Sequence, residues 1–290
     1  LRLIIKPFLY NKNIREYVIM TIGEALKEER EKRGISKYKF SKGIIDRKFY
    51  GEVEDKNKNI GSEALVRLLF KHEIDIVNFF SKLETTYAPS NFKVLKNINR
   101  KMDIALKESN LSVAKECSDE ILKIEGQSIL WLRSQVAIAS MEGKINSLPK
   151  MVIKKIDQEL GKYENISTNF EAIKLFANTM MVMDINRVDY FMKIILSKVN
   201  KRKLTTIEEE RMARLCDNFI NLCKEKKYNS DNIEKSFNYL MSLKDIHFLI
   251  YKMVGKFNYA VLSENYEKAN LIKRELKKLG YEEIAESLQI

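Results

Sequence analysis

From residue 21 onward, apolar side chains recur at helical spacing. Ile22, Ala25 and Leu26, with Glu29, fall on one side of a predicted helix over 22–33, which Gly34 ends. Thr21 is its expected cap, and Glu24 three residues on completes a capping box. A second, shorter helix is predicted from a Ser36 cap through 42, with Phe40 inward and Gly43 as its stop. Asp46 then caps a third helix over 47–54, whose inward positions are Tyr50 and Val53. Ser62 is the expected cap of a fourth helix, EALVRLLFKHE, and DIVNFFSKL makes a fifth. After residue 90 the pattern becomes periodic. Helix starts are predicted near Ser90, Ser128, Thr168, Thr206 and Asp245, about 39 residues apart. A partner helix follows each, near Ser112, Leu148, Arg187, Asp231 and Asn265.

The expected fold class is therefore all-α. Five short helices in about 65 residues, with a glycine between the second and third, describe a helix-turn-helix domain over 20–84. Five antiparallel helix pairs over 91–290 describe an α-solenoid of tetratricopeptide-like pairs. The stretch 85–90, TTYAPS, is the expected linker. Scarce breakers, 3 prolines and 10 glycines in 290 residues, agree with helix nearly everywhere. Pro149 suits the first turn of a helix, and Gly126, Gly143, Gly161 and Gly280 suit helix ends. Gly255 does not, because it falls inside a predicted helix. Residues 1–19 begin with leucine and are set aside. Lys6 and Pro7 interrupt their apolar run and no small-residue cleavage site follows, so an upstream extension is expected rather than a signal peptide.

A hydrophobic content of 45% with 32% charged residues fits a globular chain. No apolar run of about 18 residues is present, so no membrane span is expected. The three cysteines, Cys117, Cys216 and Cys223, form no CxxC pair, and His72 and His247 are the sole histidines. Zinc is not expected, nor is any other metal or cofactor. Sparse cysteines on apolar faces suggest buried thiols and a cytoplasmic location. No Walker loop, GxGxxG, GxSxG or HExxH occurs, and an enzyme is not expected. Glu208, Glu209 and Glu210 read as an acidic first helical turn, and Trp131 as packing.

Net charge is +12, but its placement matters more than its size. Residues 20–84 carry 14 Lys and Arg against 12 Asp and Glu, a net of only +2. Yet over 36–48, Lys37, Lys39, Lys42, Arg47 and Lys48 face Asp46 alone. Arg47 and Lys48 lie in the first turn of the third helix, where side chains can reach base edges. The expected contacts with double-stranded DNA are Ser36, Lys37, Lys39, Arg47, Lys48, Glu52, Lys56 and Lys58, the last two as phosphate contacts. The other reading of these lysines is a solvated face. In the solenoid, first helices would form most of an inner groove suited to an extended peptide. The candidates there are Arg133, Asn178, Asn218, Asn221 and Tyr251, which could equally be ordinary polar surface. Met180, Met181 and Met183 form a soft patch, either core filling or an adaptable peptide surface.

The stretch IGEALKEEREKRGISKYKFSKGIIDRKFYGEVED with IGSEALVRLLFKHEIDIVNFF resembles the lambda-repressor-like helix-turn-helix of the Xre class. More narrowly, it resembles the Rgg/MutR regulators of Gram-positive bacteria. Arg30, four residues before Gly34, and the pair Val53-Glu54 match that pattern. The resemblance implies a structural Arg30–Glu54 ion pair inside the domain. The class often has Ser where Gly51 stands and Arg or Lys where Glu52 stands. NYEKANLIKRELKKLGY resembles the second helix of a tetratricopeptide repeat. The combined architecture resembles the Rgg group and its peptide-sensing relatives. It implies a cytoplasmic homodimeric transcription regulator, paired DNA half-sites, and quorum-sensing control by a short signalling peptide. A rival expectation is a protein-interaction scaffold whose helix-turn-helix no longer binds DNA.

Overall fold

The computed structural model describes residues 20–56, 58–163, 166–167, 169–199 and 204–290. The segment 1–19 and the expected helix start at Thr168 lie outside the described residues. Sixteen α-helices and no strand occur among those described. The fold class is all-α, a helix-turn-helix domain followed by a helical solenoid. The chain divides into two compact units, and the division falls between Arg100 and Lys101.

The first unit opens with α1 (Ile22–Lys32), α2 (Lys37–Ser41), α3 (Arg47–Glu54), α4 (Ser62–Lys71) and α5 (Ile76–Tyr87). Thr21 accepts from the Glu24 backbone while the Glu24 carboxylate accepts from the Thr21 N–H, so the capping box is complete. Ser36 caps α2, and Asp46 caps α3 by accepting from the Lys48 and Phe49 amides. The cap of α4 is Gly61, with no side-chain hydrogen bond, rather than the expected Ser62. Leu26, Phe40, Tyr50, Leu68 and Phe79 are fully buried and form the core. His72 stacks on Phe40 with ring centroids 4.1 Å apart, and its Nε2 lies 2.8 Å from the Phe40 carbonyl oxygen. A buried acid, Glu29, ties α1 to α5. Burial raises its pKa, but Lys82 at 2.7 Å and Arg33 at 2.7 Å prevail and hold the carboxyl near about 2. Only Ala88 and Pro89 separate α5 from α6 (Ser90–Lys107).

The solenoid continues through α7 (Leu111–Leu122), α8 (Ser128–Met141), α9 (Lys150–Gly161), α10 (Phe170–Thr179) and α11 (Ile185–Val199). It ends with α12 (Thr206–Lys226), α13 (Asp231–Ser242), α14 (Leu249–Leu262), α15 (Tyr266–Lys278) and a short α16 (Glu282–Ser287) that the periodicity did not predict. First helices lie side by side, α8 on α10, α10 on α12 and α12 on α14. Second helices close the other layer, as α11 packs on α13. Gly126, Gly143 and Gly280 have positive φ at helix ends, where glycine meets no steric cost. The three cysteines are free and buried, and burial pushes the thiols of Cys216 and Cys223 up to about 12.

Gly255 sits mid-helix in α14 after all. A Cβ there would stand 2.7 Å from Leu240 Cδ1, the end of a flexible side chain on α13, and at ordinary contact, 3.8 Å, from Asp217 Oδ1 on α12, so a larger residue would have to move Leu240. Asp217 on α12 is the acid under that contact. Burial drives its pKa up to about 8 against a hydrogen bond from Asn258. Its Oδ1 and the Asn258 Oδ1 both lack partners. A proton on Asp217 would satisfy both, by donation to Asn258. The folded pKa is raised, so this stability is complete below the unfolded pKa of about 3.8 and falls as pH rises towards 8. Asp217 is not wholly enclosed, which reduces the effect. Asp217→Asn, an isostere of the protonated acid, is expected to gain about 2 kcal/mol over the parent between pH 5 and pH 8. Urea unfolding of both proteins across that range measures it, and parallel pH profiles would refute the assignment.

Candidate nucleic-acid interface and solenoid face

The helix-turn-helix is fixed from beneath. The Arg30 guanidinium donates to Glu54 at 2.5 Å through Nε and at 3.0 Å through Nη2. The Glu54 side chain is 0% exposed. Burial raises its pKa, yet Arg30, Tyr50 and Lys37 together bring it below the ordinary carboxylate value. This pair joins the end of α1 to the end of α3, and Tyr50 and Val53 bury the inner side of α3. Gly43, at φ +75°, makes the turn between α2 and α3. Lys71 Nζ donates to the Lys42 carbonyl at 2.5 Å and Arg67 to that of Gly43 at 3.4 Å, so α4 satisfies the carbonyls that α2 leaves open. Arg67 and Lys71 were not singled out from the sequence, where nothing local marks them.

The predicted DNA-facing residues divide into two groups. Ser36, Lys39, Arg47 and Lys48 are exposed, with Ser36 accepting from the Lys39 amide. Lys56 and Lys58 are exposed as well but, like the half-buried Lys37 and Glu52, take part in ion pairs of the unit. Lys37 Nζ lies 3.4 Å from Glu54, Lys56 lies 2.6 Å from Glu24, and Lys58 lies 2.7 Å from Glu52. The Lys58 pairing neutralises the acid that would otherwise repel phosphate. Gly51 leaves room over the Lys37 side chain, whose Nζ stands 3.7 Å from where a Cβ would sit.

In the solenoid, Asn178, Asn218 and Asn221 line one cleft of about 20 Å³ with Met180, Met181 and Leu222, between α10 and α12. Asn178 donates to the Lys174 carbonyl, and Asn218 reaches across to the Ala177 carbonyl at 3.1 Å. Asn221 donates to Glu225 at 2.8 Å. Met183 is buried in the core, while Met180 and Met181 reach the cleft. Tyr251 on α14 donates to Glu210 at 3.1 Å and accepts from Arg214 at 3.3 Å. Arg133 on α8 lies apart from the cleft but close to Asp103, Glu171 and Arg214. Lys174, Arg211 and Arg214 belong to the same neighbourhood, and sequence reading missed them. A signal was present. Arg133, Lys174 and Arg211 are the fifth or sixth residues of three successive first helices.

No protein-family profile matches the chain. No curated protein sequence matches it either. Solved structures do. A candidate transcriptional regulator from Listeria monocytogenes EGD-e superposes with a TM-score of 0.72 at 16% identity, covering 91% of this chain and 93% of the other. The SHP pheromone receptor Rgg2 of Streptococcus dysgalactiae gives 0.69 at 14% identity, over 92% and 97% of the two chains. PrgX in its complex with cCF10 gives 0.67 at 17% identity, over 92% and 89%. The fold of this chain is the fold of those proteins.

Proposed function

We propose that this chain is a transcription regulator that reads duplex DNA with α3 and is controlled by a short peptide on the face of its first solenoid helices. The observation that carries the reading is the cationic edge of α2 and α3. Lys39, Lys42, Arg47 and Lys48 stand exposed around a helix whose other side is locked by a buried ion pair. Exposed cations at the start of a helix-turn-helix reading helix are placed to meet phosphates and base edges together. The fold shared with Rgg2, a pheromone receptor, and with PrgX, solved with cCF10, supports peptide control. The cleft of carboxamides and methionines supports it chemically, since amides can bond a peptide backbone and methionine adapts to side chains. We take the working form to be a cytoplasmic homodimer on paired half-sites, not an enzyme.

Selection from a random duplex library at physiological salt tests the reading. The expected product is an inverted repeat with half-sites about 10 base pairs apart, or a multiple of that. Affinity for the selected site is expected to fall steeply as salt rises. Replacing Arg47 and Lys48 with alanine should weaken that binding about 100-fold or more, with the far-UV circular dichroism unchanged. Equal binding by the double variant would remove α3 from the reading role. No enrichment, with or without culture extract, would favour the scaffold alternative.

A further inference from the structure

We propose that the face shared by α8, α10 and α12 is a carboxylate receptor, holding an anionic group of the bound peptide between Arg133, Lys174 and Arg214. The inference rests on the peptide reading above and adds the chemical class of the ligand.

Three observations carry it. First, the cations converge. Arg133 on α8, Lys174 on α10 and Arg214 on α12 occupy adjoining first helices, and Arg133 lies within electrostatic reach of both of the others. Second, two of them lack counter-ions in contact. Arg133 Nε is cut off from solvent without a hydrogen-bond partner. Neither the Arg133 nor the Lys174 head group makes an ion pair or hydrogen bond among the described residues, although acids lie nearby. Glu210 is held by Arg214 at 3.2 Å and by Tyr251. Asp103 and Glu171 act on the two cations at a distance, and burial makes Asp103 a weaker anion by raising its pKa. Third, the surroundings suit a peptide. Lys174 is one helical turn from Asn178, and Arg214 is one turn from Asn218, so the cationic patch runs straight into the carboxamide and methionine cleft.

A desolvated cation without a counter-ion is costly, and cations packed together raise the cost. The consequence shows in the titration. Burial lowers the pKa of Lys174, and Arg133 lowers it further. A carboxylate entering between these groups would remove the repulsion and accept the hydrogen bonds that the protein leaves unmade, a bidentate pair from Arg133 among them. The carboxylate has two possible sources, an Asp or Glu side chain or the peptide's own C-terminus.

The test uses the full chain and four synthetic octapeptide libraries. Two contain Asp and Glu and two omit them, each pair with free-acid or amidated C-termini. Captured peptides are identified by mass spectrometry. Enrichment from the arms that carry a carboxylate is expected, at least about tenfold over the amidated arm without Asp and Glu. Enrichment confined to free-acid arms assigns the C-terminus, and enrichment from the amidated acidic arm assigns a side chain. Arg133→Gln and Lys174→Gln should each weaken the enriched peptide at least about tenfold, while Lys174→Arg retains binding. Both glutamine variants relieve repulsion, so they should melt no lower than the parent. Equal capture of neutral amidated peptides, unaffected by Lys174→Gln, overturns the carboxylate receptor and leaves the peptide reading standing. Capture from none of the four arms overturns both.

Discussion

Gly23→Ala is expected to destabilise the helix-turn-helix unit by about 3 kcal/mol or more, although the change is one methyl group on a helix. A Cβ at this position would stand 1.9 Å from the Val53 carbonyl oxygen and 2.9 Å from its carbon. Both atoms are backbone, so no side-chain rotation relieves the clash. The first turn of α1 would have to withdraw from the end of α3, which also displaces Glu54. Limited proteolysis of the full chain measures the effect. Cleavage within residues 20–87 should rise about 100-fold, while fragments of the solenoid stay protected. Gly51→Ala is the control, because its Cβ would meet only the flexible Lys37 side chain at ordinary contact. Alanine there should improve the helix by up to about 1 kcal/mol. If the two variants are protected equally, α1 and α3 do not pack as closely as described.

Arg30→Ala is expected to cost about 3–5 kcal/mol, because it leaves a carboxylate enclosed without its main partner. Glu54 is 0% exposed at its side chain, and after the change Lys37, at 3.4 Å, would be its remaining cationic partner, beside Tyr50. The penalty should depend on pH in a defined direction. In the parent, Arg30 keeps the folded pKa of Glu54 below its ordinary value of 4.5, so the pair stabilises above that pH and is lost as pH falls. In the variant, burial dominates and raises the pKa, so neutral pH becomes the worse condition. Urea unfolding at pH 5 and pH 7 should show the larger loss at pH 7. DNA affinity should fall as well, without loss of any DNA contact, because Arg30 lies behind α3. A loss below about 1 kcal/mol at both pH values would show that Glu54 is solvated instead.

Helices and caps were legible because they depend on neighbours in sequence. Thr21 with Glu24, Ser36 and Asp46 each act within three residues, and the structure has all three caps. The cap of α4 moved by one residue to Gly61, a difference that local spacing cannot resolve. The glycines separate what is local from what is not. Gly43 was readable as a turn. Gly51 stands where the class often has serine, and it has space around it. Gly23 drew no attention, and it makes the tightest approach between α1 and α3, because that approach comes from Val53, thirty residues away. Gly255 looks like an interruption in the sequence, but the helix passes through it with the Leu240 side chain packed over it. In the solenoid the same limit applies to charge. Each lysine or arginine on a first helix is ambiguous alone, and Arg133 and Lys174 become a patch only once α8 and α10 lie side by side. Lys56 and Lys58 read as phosphate contacts for the same reason. Their partners Glu24 and Glu52 are assigned by the fold and not by the run of residues.

The two ends of the helix-turn-helix unit meet. Thr86 Oγ1 accepts from the Met20 amide at 3.0 Å and donates to the Met20 carbonyl at 2.6 Å, and the Tyr87 hydroxyl accepts from Ile22. A segment whose entrance and exit are stitched together behaves as a cassette. It can be cut out at Met20 and Tyr87 and spliced into a host loop without stretching either end. Its order along the chain can also be permuted through the join. A lineage of such proteins could therefore exchange the helix-turn-helix unit while keeping the solenoid, with the hydroxyl of Thr86 as the clasp.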